Sequence, residues 1–172
     1  MKAGDFFSGI PVAAGLPPVD SWHPAACGDS RMRIAADGIW FHEGTPIGRR
    51  ELVRLFAGLL RKDPDGYVLV TPGEKLSILV EDAPFLAVLL EAGGEGRARQ
   101  LVFTTNVGDR THLGADHGWR AANGVPYLQV RRGLEAKASR AVFYQLADLA
   151  VPQGNMLGVW SEGLFFPLGP IA

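Results

Sequence analysis

Along the chain, apolar residues recur in short runs broken by turn-forming residues, and in two places they take helical spacing. Gly and Pro dominate up to Val19, so residues 1–21 read as an irregular arm. From Met32 the run Met-Arg-Ile-Ala-Ala leads through Asp37-Gly38 into Ile39-Trp40-Phe41-His42, a tight hairpin broken after its second strand by Glu43-Gly44 and Thr45-Pro46. Leu52, Leu55, Phe56, Leu59 and Leu60 then fall on one side of a helix and Arg50, Glu51, Arg54 and Arg61 on the other, which predicts Leu55 and Leu59 in the core and Arg54 and Arg61 in water. Lys62-Asp63-Pro64-Asp65-Gly66 stops that helix.

Four short apolar runs follow, Tyr67 to Thr71, Leu76 to Val80, Phe85 to Leu90 and Leu101 to Thr104, and Tyr127 to Arg131 forms a fifth. With no helices between them, right-handed parallel crossovers are hard to build, so the pattern predicts antiparallel strands rather than a doubly wound nucleotide fold. A second helix runs from about Ser139 to Ala150 and ends at Pro152. The fold expected is α+β: two small lobes of mainly antiparallel sheet, each with a packed helix, residues 22–75 forming the first and 76–172 the second.

Gly38-Ile39-Trp40, Glu43-Gly44 and Pro46-Ile47-Gly48 are echoed by Gly158-Val159-Trp160, Glu162-Gly163 and Pro167-Leu168-Gly169. A duplicated strand-and-helix unit and a chance likeness of two Gly- and Trp-containing hairpins both fit this echo.

Composition adds limits. With 172 residues, 47% of them hydrophobic, the chain can bury a core without staples, and Cys27, its one cysteine, excludes an internal disulfide and a four-cysteine zinc site. That usage, a broken apolar stretch from Phe6 to Leu16 that makes a poor signal peptide, and the lack of any apolar run of membrane-spanning length point to a soluble cytoplasmic protein with no membrane partner. A formal charge of -1 offers no field to draw nucleic acid, but the charge is uneven. Residues 97–140 hold eight Lys/Arg against three Asp/Glu, a block at +5 between flanks at -4 and -2. Converging arginines of that block would grip a phosphate or carboxylate through bidentate forks; scattered ones would form a solvated face.

Few motifs carry chemistry. Trp22-His23-Pro24 with Cys27 is too sparse for a nucleophile pair, and Cys27 is expected to be a buried structural residue. His112, Asp116 and His117 lack a metal-ligand spacing, Gly93 to Gly96 lacks the Lys-Ser/Thr of a phosphate loop, and no motif specifies a cofactor. The stretch from Arg131 to Ala136 is the most site-like, leading from a strand toward a helix whose backbone donors favour an anion. The expected ligand-binding residues are Asn106, Asp109, Arg131 and Glu135: Arg131 for the anion, Glu135 to hold it in position, and Asn106 and Asp109 on a neighbouring strand end to read a sugar or base edge.

Several motifs occur together in order: Trp22-x-Pro24-x-x-Cys27-Gly28, Asp37-Gly38-x-Trp40, Pro46-Ile47-Gly48-Arg49, Val80-Glu81-Asp82-Ala83-Pro84-Phe85, Thr105-Asn106-Val107-Gly108-Asp109 and Gly133-Leu134-Glu135-Ala136. From Trp22 to the C-terminus the chain resembles a bacterial family of uncharacterised proteins, domain-of-unknown-function family 1285. The resemblance implies a two-lobed α+β fold with repeated strand-and-helix units and a cleft between the lobes for a nucleotide-like ligand in signalling; it assigns no catalytic residue. The function expected is therefore non-catalytic binding of a small anionic ligand. The alternatives are a hydrolase using Glu81, Asp82, Asp109 or Glu135, and a protein-interaction module.

Overall fold

The computed structural model describes residues 15–172, so most of the expected arm lies outside the described residues. The chain divides into two compact units, Met1–Asp82 and Ala83–Ala172.

The first unit is built from β1 (Ala26–Ile34), β2 (Trp40–His42), β3 (Thr45–Pro46), α1 (Arg50–Leu59), β4 (Leu60–Asp63), β5 (Gly66–Val70) and β6 (Glu74–Val80). The strands form one sheet in the order β3-β2-β1-β6-β5-β4. β1 and β6 run parallel at its centre and the other neighbours are antiparallel. Ile34, Trp40, Leu69, Leu76 and Ile78 of the sheet and Phe56 and Leu59 of α1 are buried, with the Trp40 and Phe56 rings stacked at 6.4 Å. β1 carries a bulge where Arg31 takes a φ of 57°; Ser30 accommodates it by donating to the Ser77 carbonyl and accepting from the Met32 N–H.

The second unit opens with β7 (Phe85–Gly93), β8 (Gln100–Thr105), β9 (Arg110–His112), β10 (Trp119–Ala122), β11 (Val125–Arg131) and β12 (Leu134–Ala138), in the sheet order β10-β11-β12-β7-β8-β9. Here β7 and β12 form the central parallel pair. α2 (Arg140–Leu149) follows, its first turn capped by Ser139 Oγ, which accepts from the Val142 N–H at 3.2 Å. A three-stranded sheet, β13 (Val151–Gln153), β14 (Met156–Ser161) and β15 (Leu164–Pro170), completes the unit. Trp119 joins this sheet to the larger one, donating to the Pro167 carbonyl at 2.8 Å with its ring edge-on to Phe103 and Phe166.

The α+β class and the two mainly antiparallel lobes are as expected, and several details differ. A parallel pair exists in each sheet because the chain between its strands contains further strands, which supply the long connection that parallel neighbours need. Glu74 to Val80 belongs to the first sheet, so the boundary between the units falls after Asp82 rather than Lys75. α1 ends at Leu59, where Leu60 turns extended, and Lys62 to Gly66 forms the end and turn of the β4–β5 hairpin. Leu55 is consequently exposed, while Arg61 on the new strand is half-buried. Glu43-Gly44 turns the chain into a third strand, with φ of 49° and 81°. Cys27 is exposed rather than buried, because its register beside Lys75 at the start of β1 sets it on the open face of the sheet.

Candidate functional site

The residues expected to bind a ligand all lie in the second unit, which arranges them as two separate charge clusters. The first is at the β8–β9 turn. Thr105 closes that turn, its N–H donating to the Asp109 carbonyl and its Oγ1 accepting from the Asp109 N–H, while Gly108 at φ 96° supplies the left-handed residue. Asn106 continues the ladder past the strand end: its N–H donates to the Leu86 carbonyl and its Oδ1 accepts from the Leu86 N–H at 3.0 Å. Asp109 meets Arg131, with Oδ2 accepting from Nη2 and Oδ1 facing Nε, each at 3.3 Å. The guanidinium lies 5.1 Å from the Phe85 ring centre, and only 11% of the Arg131 side chain is exposed.

Glu135 belongs elsewhere. Arg131 pairs with Leu134 across the hairpin, and successive residues of a strand point to opposite faces, so Glu135 projects from the face opposite to Arg131. There its carboxylate accepts from Arg120 Nε at 2.9 Å and Nη2 at 3.1 Å, a bidentate pair, and from Gln129 Nε2 at 3.3 Å. The Arg120 guanidinium stands 4.2 Å from the centre of the Tyr127 ring, and the Lys137 ammonium lies 6.0 Å from the same centre. Glu135 and Tyr127 are buried, whereas 57% of the Arg120 side chain is exposed.

The structure thus brings Asn106, Asp109 and Arg131 together and separates Glu135, whose guanidinium partner is Arg120 instead of Arg131. The cause is the Arg132-Gly133 turn, with φ of 50° and 75°, which folds residues 134–138 back as β12. This strand intervenes between Arg131 and α2, so the expected anchoring of Arg131 at a helix start does not occur. Arg120, Tyr127, Gln129 and Lys137 were missed as a set. Arg120 and Lys137 belong to the basic block, but their meeting over one ring depends on cross-strand register between β10, β11 and β12.

Other members of the block disperse. Arg110 pairs with Glu91, Arg97 lies 4.6 Å from the centre of the Trp160 ring, and Arg140 opens α2. The carboxylates considered for hydrolysis are also dispersed: Glu81 is paired with Arg33 at 2.6 Å and accepts from the Ala36 N–H, Asp109 is held by Arg131, and Glu135 by Arg120.

Residues 17–83 match the N-terminal domain of the family described as a domain of unknown function, DUF1285, and residues 84–168 match its C-terminal domain. A solved structure of a DUF1285 family protein from Silicibacter pomeroyi DSS-3 is 45% identical, with a TM-score of 0.87 over 92% of this chain and 90% of that one. Another, from Shewanella baltica OS155, is 31% identical, with a TM-score of 0.57 over 68% of this chain and 90% of that one. No curated protein matches the chain.

Proposed function

The chain belongs to the DUF1285 family, which carries no assigned activity, and from its own side chains we propose that it is a non-catalytic binding and signalling protein for a small, anionic, nucleotide-like molecule taken up on the β10–β12 face of its second unit. The observation that carries this reading is the Arg120 guanidinium, fixed on one edge by Glu135 and backed by Tyr127. A guanidinium so held has already lost the rotamer freedom that binding would otherwise cost. Its plane suits stacking with a nucleobase, and Lys137 beside the same ring adds a positive charge for phosphate. Glu135 offsets one of the two cations, leaving the cluster net positive. It acts here as the residue that positions Arg120. Asn106, Asp109 and Arg131 brace the opposite side of the sheet. The dispersal of Glu81, Asp109 and Glu135, each on its own arginine, favours binding over hydrolysis, since a general base needs a carboxylate within reach of the substrate.

The test combines a thermal shift with product analysis across a panel of mononucleotides and dinucleotides. At least one nucleotide is expected to raise the melting temperature of the wild type without being consumed, through its preference for the native state. Arg120→Met and Lys137→Met should each weaken that shift, and Glu135→Gln should weaken it less than Arg120→Met. Turnover of the nucleotide would favour the hydrolase, and a panel without effect would remove the nucleotide reading.

A further inference from the structure

The sheet face that carries Arg120, Tyr127 and Lys137 continues past them as apolar surface. Arg120, Tyr127, Lys137 and Leu86 are successive neighbours in one row across β10, β11, β12 and β7. Phe85 and Ala87 are buried in the core, so Leu86 between them projects from the opposite face, the one that Lys137 occupies. Neighbouring strands lie about 4.8 Å apart, which sets Leu86 one such step beyond Lys137 and two beyond Tyr127. β7 then bulges between Ala87 and Leu89, and the bulge returns Leu89 to the same face: it pairs with Thr104, which alternates along β8 with the buried Phe103 and Thr105. Val102, two residues from Thr104 on β8, shares that face. Leu89 is 58% exposed and Val88, the bulged residue, 37%. The Arg110–Glu91 ion pair closes the far end, since Arg110 pairs with Thr104 and Glu91 with Val102. Single apolar residues on a surface are ordinary, but here Leu86, Leu89 and Val102 lie together on one face beside two cations.

Building on the nucleotide reading of the β10–β12 face, on which the inference rests, we propose that the ligand is a nucleotide whose phosphate is esterified to an aliphatic chain, with the base on Arg120, the phosphate at Lys137 and the chain across Leu86 and Leu89. The charge agrees. Glu135 leaves Arg120 and Lys137 with one unit of net positive charge. A phosphate esterified at both ends carries one negative charge, whereas a terminal phosphate carries nearly two at neutral pH. The chain adds affinity that a free nucleotide lacks, since each methylene fully covered tightens binding by up to about fourfold.

Isothermal titration calorimetry on the full chain compares the methyl and hexyl phosphate esters of the 5′-mononucleotides, which share charge and nucleoside and differ only in the length of the chain. The hexyl ester is expected to bind at least about tenfold more tightly than the methyl ester of the same nucleotide. Leu89→Ser, a change at an exposed position, should reduce that ratio severalfold, and Lys137→Met should weaken both esters by a similar factor. Hexyl phosphate, which lacks the nucleoside, should bind much more weakly than the hexyl ester. Equal affinity of the two esters would overturn the aliphatic chain and leave the nucleotide reading intact, and no binding by any ester or free nucleotide would overturn both. A ratio undiminished by Leu89→Ser would put the chain on another surface, and hexyl phosphate binding as tightly as the nucleotide ester would mean that the nucleoside is not recognised; either result overturns the proposal.

Discussion

The two six-stranded sheets are built alike and treat their buried charges differently. Read from one edge, the first runs β3-β2-β1-β6-β5-β4 and the second β9-β8-β7-β12-β11-β10. Each is a pair of three-stranded meanders joined through a central parallel pair. In the first, α1 lies between the meanders; in the second, α2 follows them and leads into a third meander. This repeat of topology is out of step with the echo in the sequence. Glu43-Gly44 and Glu162-Gly163 do form matching hairpin turns with positive φ at both residues, but β2–β3 lies in a six-stranded sheet and β14–β15 in the three-stranded one. The shared design is the strand order, a property of the backbone that leaves each unit free to place its own charged residues.

Arg61 shows what the first unit does with that freedom. Besides Asp63 it serves two backbone acceptors, the carbonyls of Val19 and Trp22, each at 2.8 Å, and so fastens the incoming segment to β4. Asp63 keeps Lys75 as a second cation, whereas Arg131 is the cation paired with Asp109 in the second unit. Removing the arginine should therefore hurt the second unit more. Arg131→Met is expected to cost about 3–5 kcal/mol, as for a buried pair that loses one partner. Arg61→Met should cost about 2–3 kcal/mol, the scale of charge-assisted hydrogen bonds, because Asp63 stays compensated. Urea denaturation followed by tryptophan fluorescence compares the two, Trp22 and Trp40 reporting on the first unit and Trp119 and Trp160 on the second. Equal costs would show that the residual pairing with Lys75 contributes little.

The same cluster makes the first unit sensitive to acid. The hydrogen bond from Arg61, followed by that from Lys75, holds the Asp63 carboxyl below its ordinary value of 3.8, against the opposing effect of burial. A carboxyl with a lowered folded pKa contributes stability that is fully present above the unfolded value and is lost as pH falls through the folded one. Asp63→Asn has no such proton to take up. Its deficit relative to wild type should be constant above about pH 5 and shrink as pH falls below about 4. Denaturation midpoints of both proteins between pH 3 and pH 7 measure this. A deficit that stays constant across that range would mean that Asp63 titrates alike in the folded and unfolded chain.

How much of this was legible in the sequence follows the range of each interaction. Local signals read well: the strands at Tyr67, Leu76, Phe85 and Leu101 and the helix near Ser139 arise from neighbours in the chain. The short strands β4, β9, β10, β12 and β13 were missed, because three to five residues beside a turn acquire their pairing only from the partner strand. The candidate site divided in the same way. Asn106 and Asp109 share one turn and were read together, but the choice of Arg120 over Arg131 as the partner of Glu135 rests on which face of β12 each residue occupies. The Arg132-Gly133 turn sets this, and it was read as a link to the helix.

The smallest predicted effect concerns the two helices, where periodicity alone misplaced one residue. α1 is enclosed at its C-terminal end, where Phe56, Ala57, Gly58 and Leu59 are all buried, whereas Leu55, the residue just before them, is 37% exposed. α2 buries a narrower stripe, with Val142 and Leu146 fully enclosed and Tyr144 at 58%. α1 meets β5 of its sheet, whereas α2 meets β7 and β12 of the six-stranded sheet and β14 of the three-stranded one, and on both helices residues at the border of the covered surface remain in contact with water. Leu59→Ala removes a side chain from the packed stripe and should cost about 2–5 kcal/mol. Leu55→Ala removes one from the border, gains slightly in helix propensity, and should change stability by less than about 0.5 kcal/mol. A Leu55→Ala cost above about 2 kcal/mol in urea denaturation would mean that Leu55 is covered in solution.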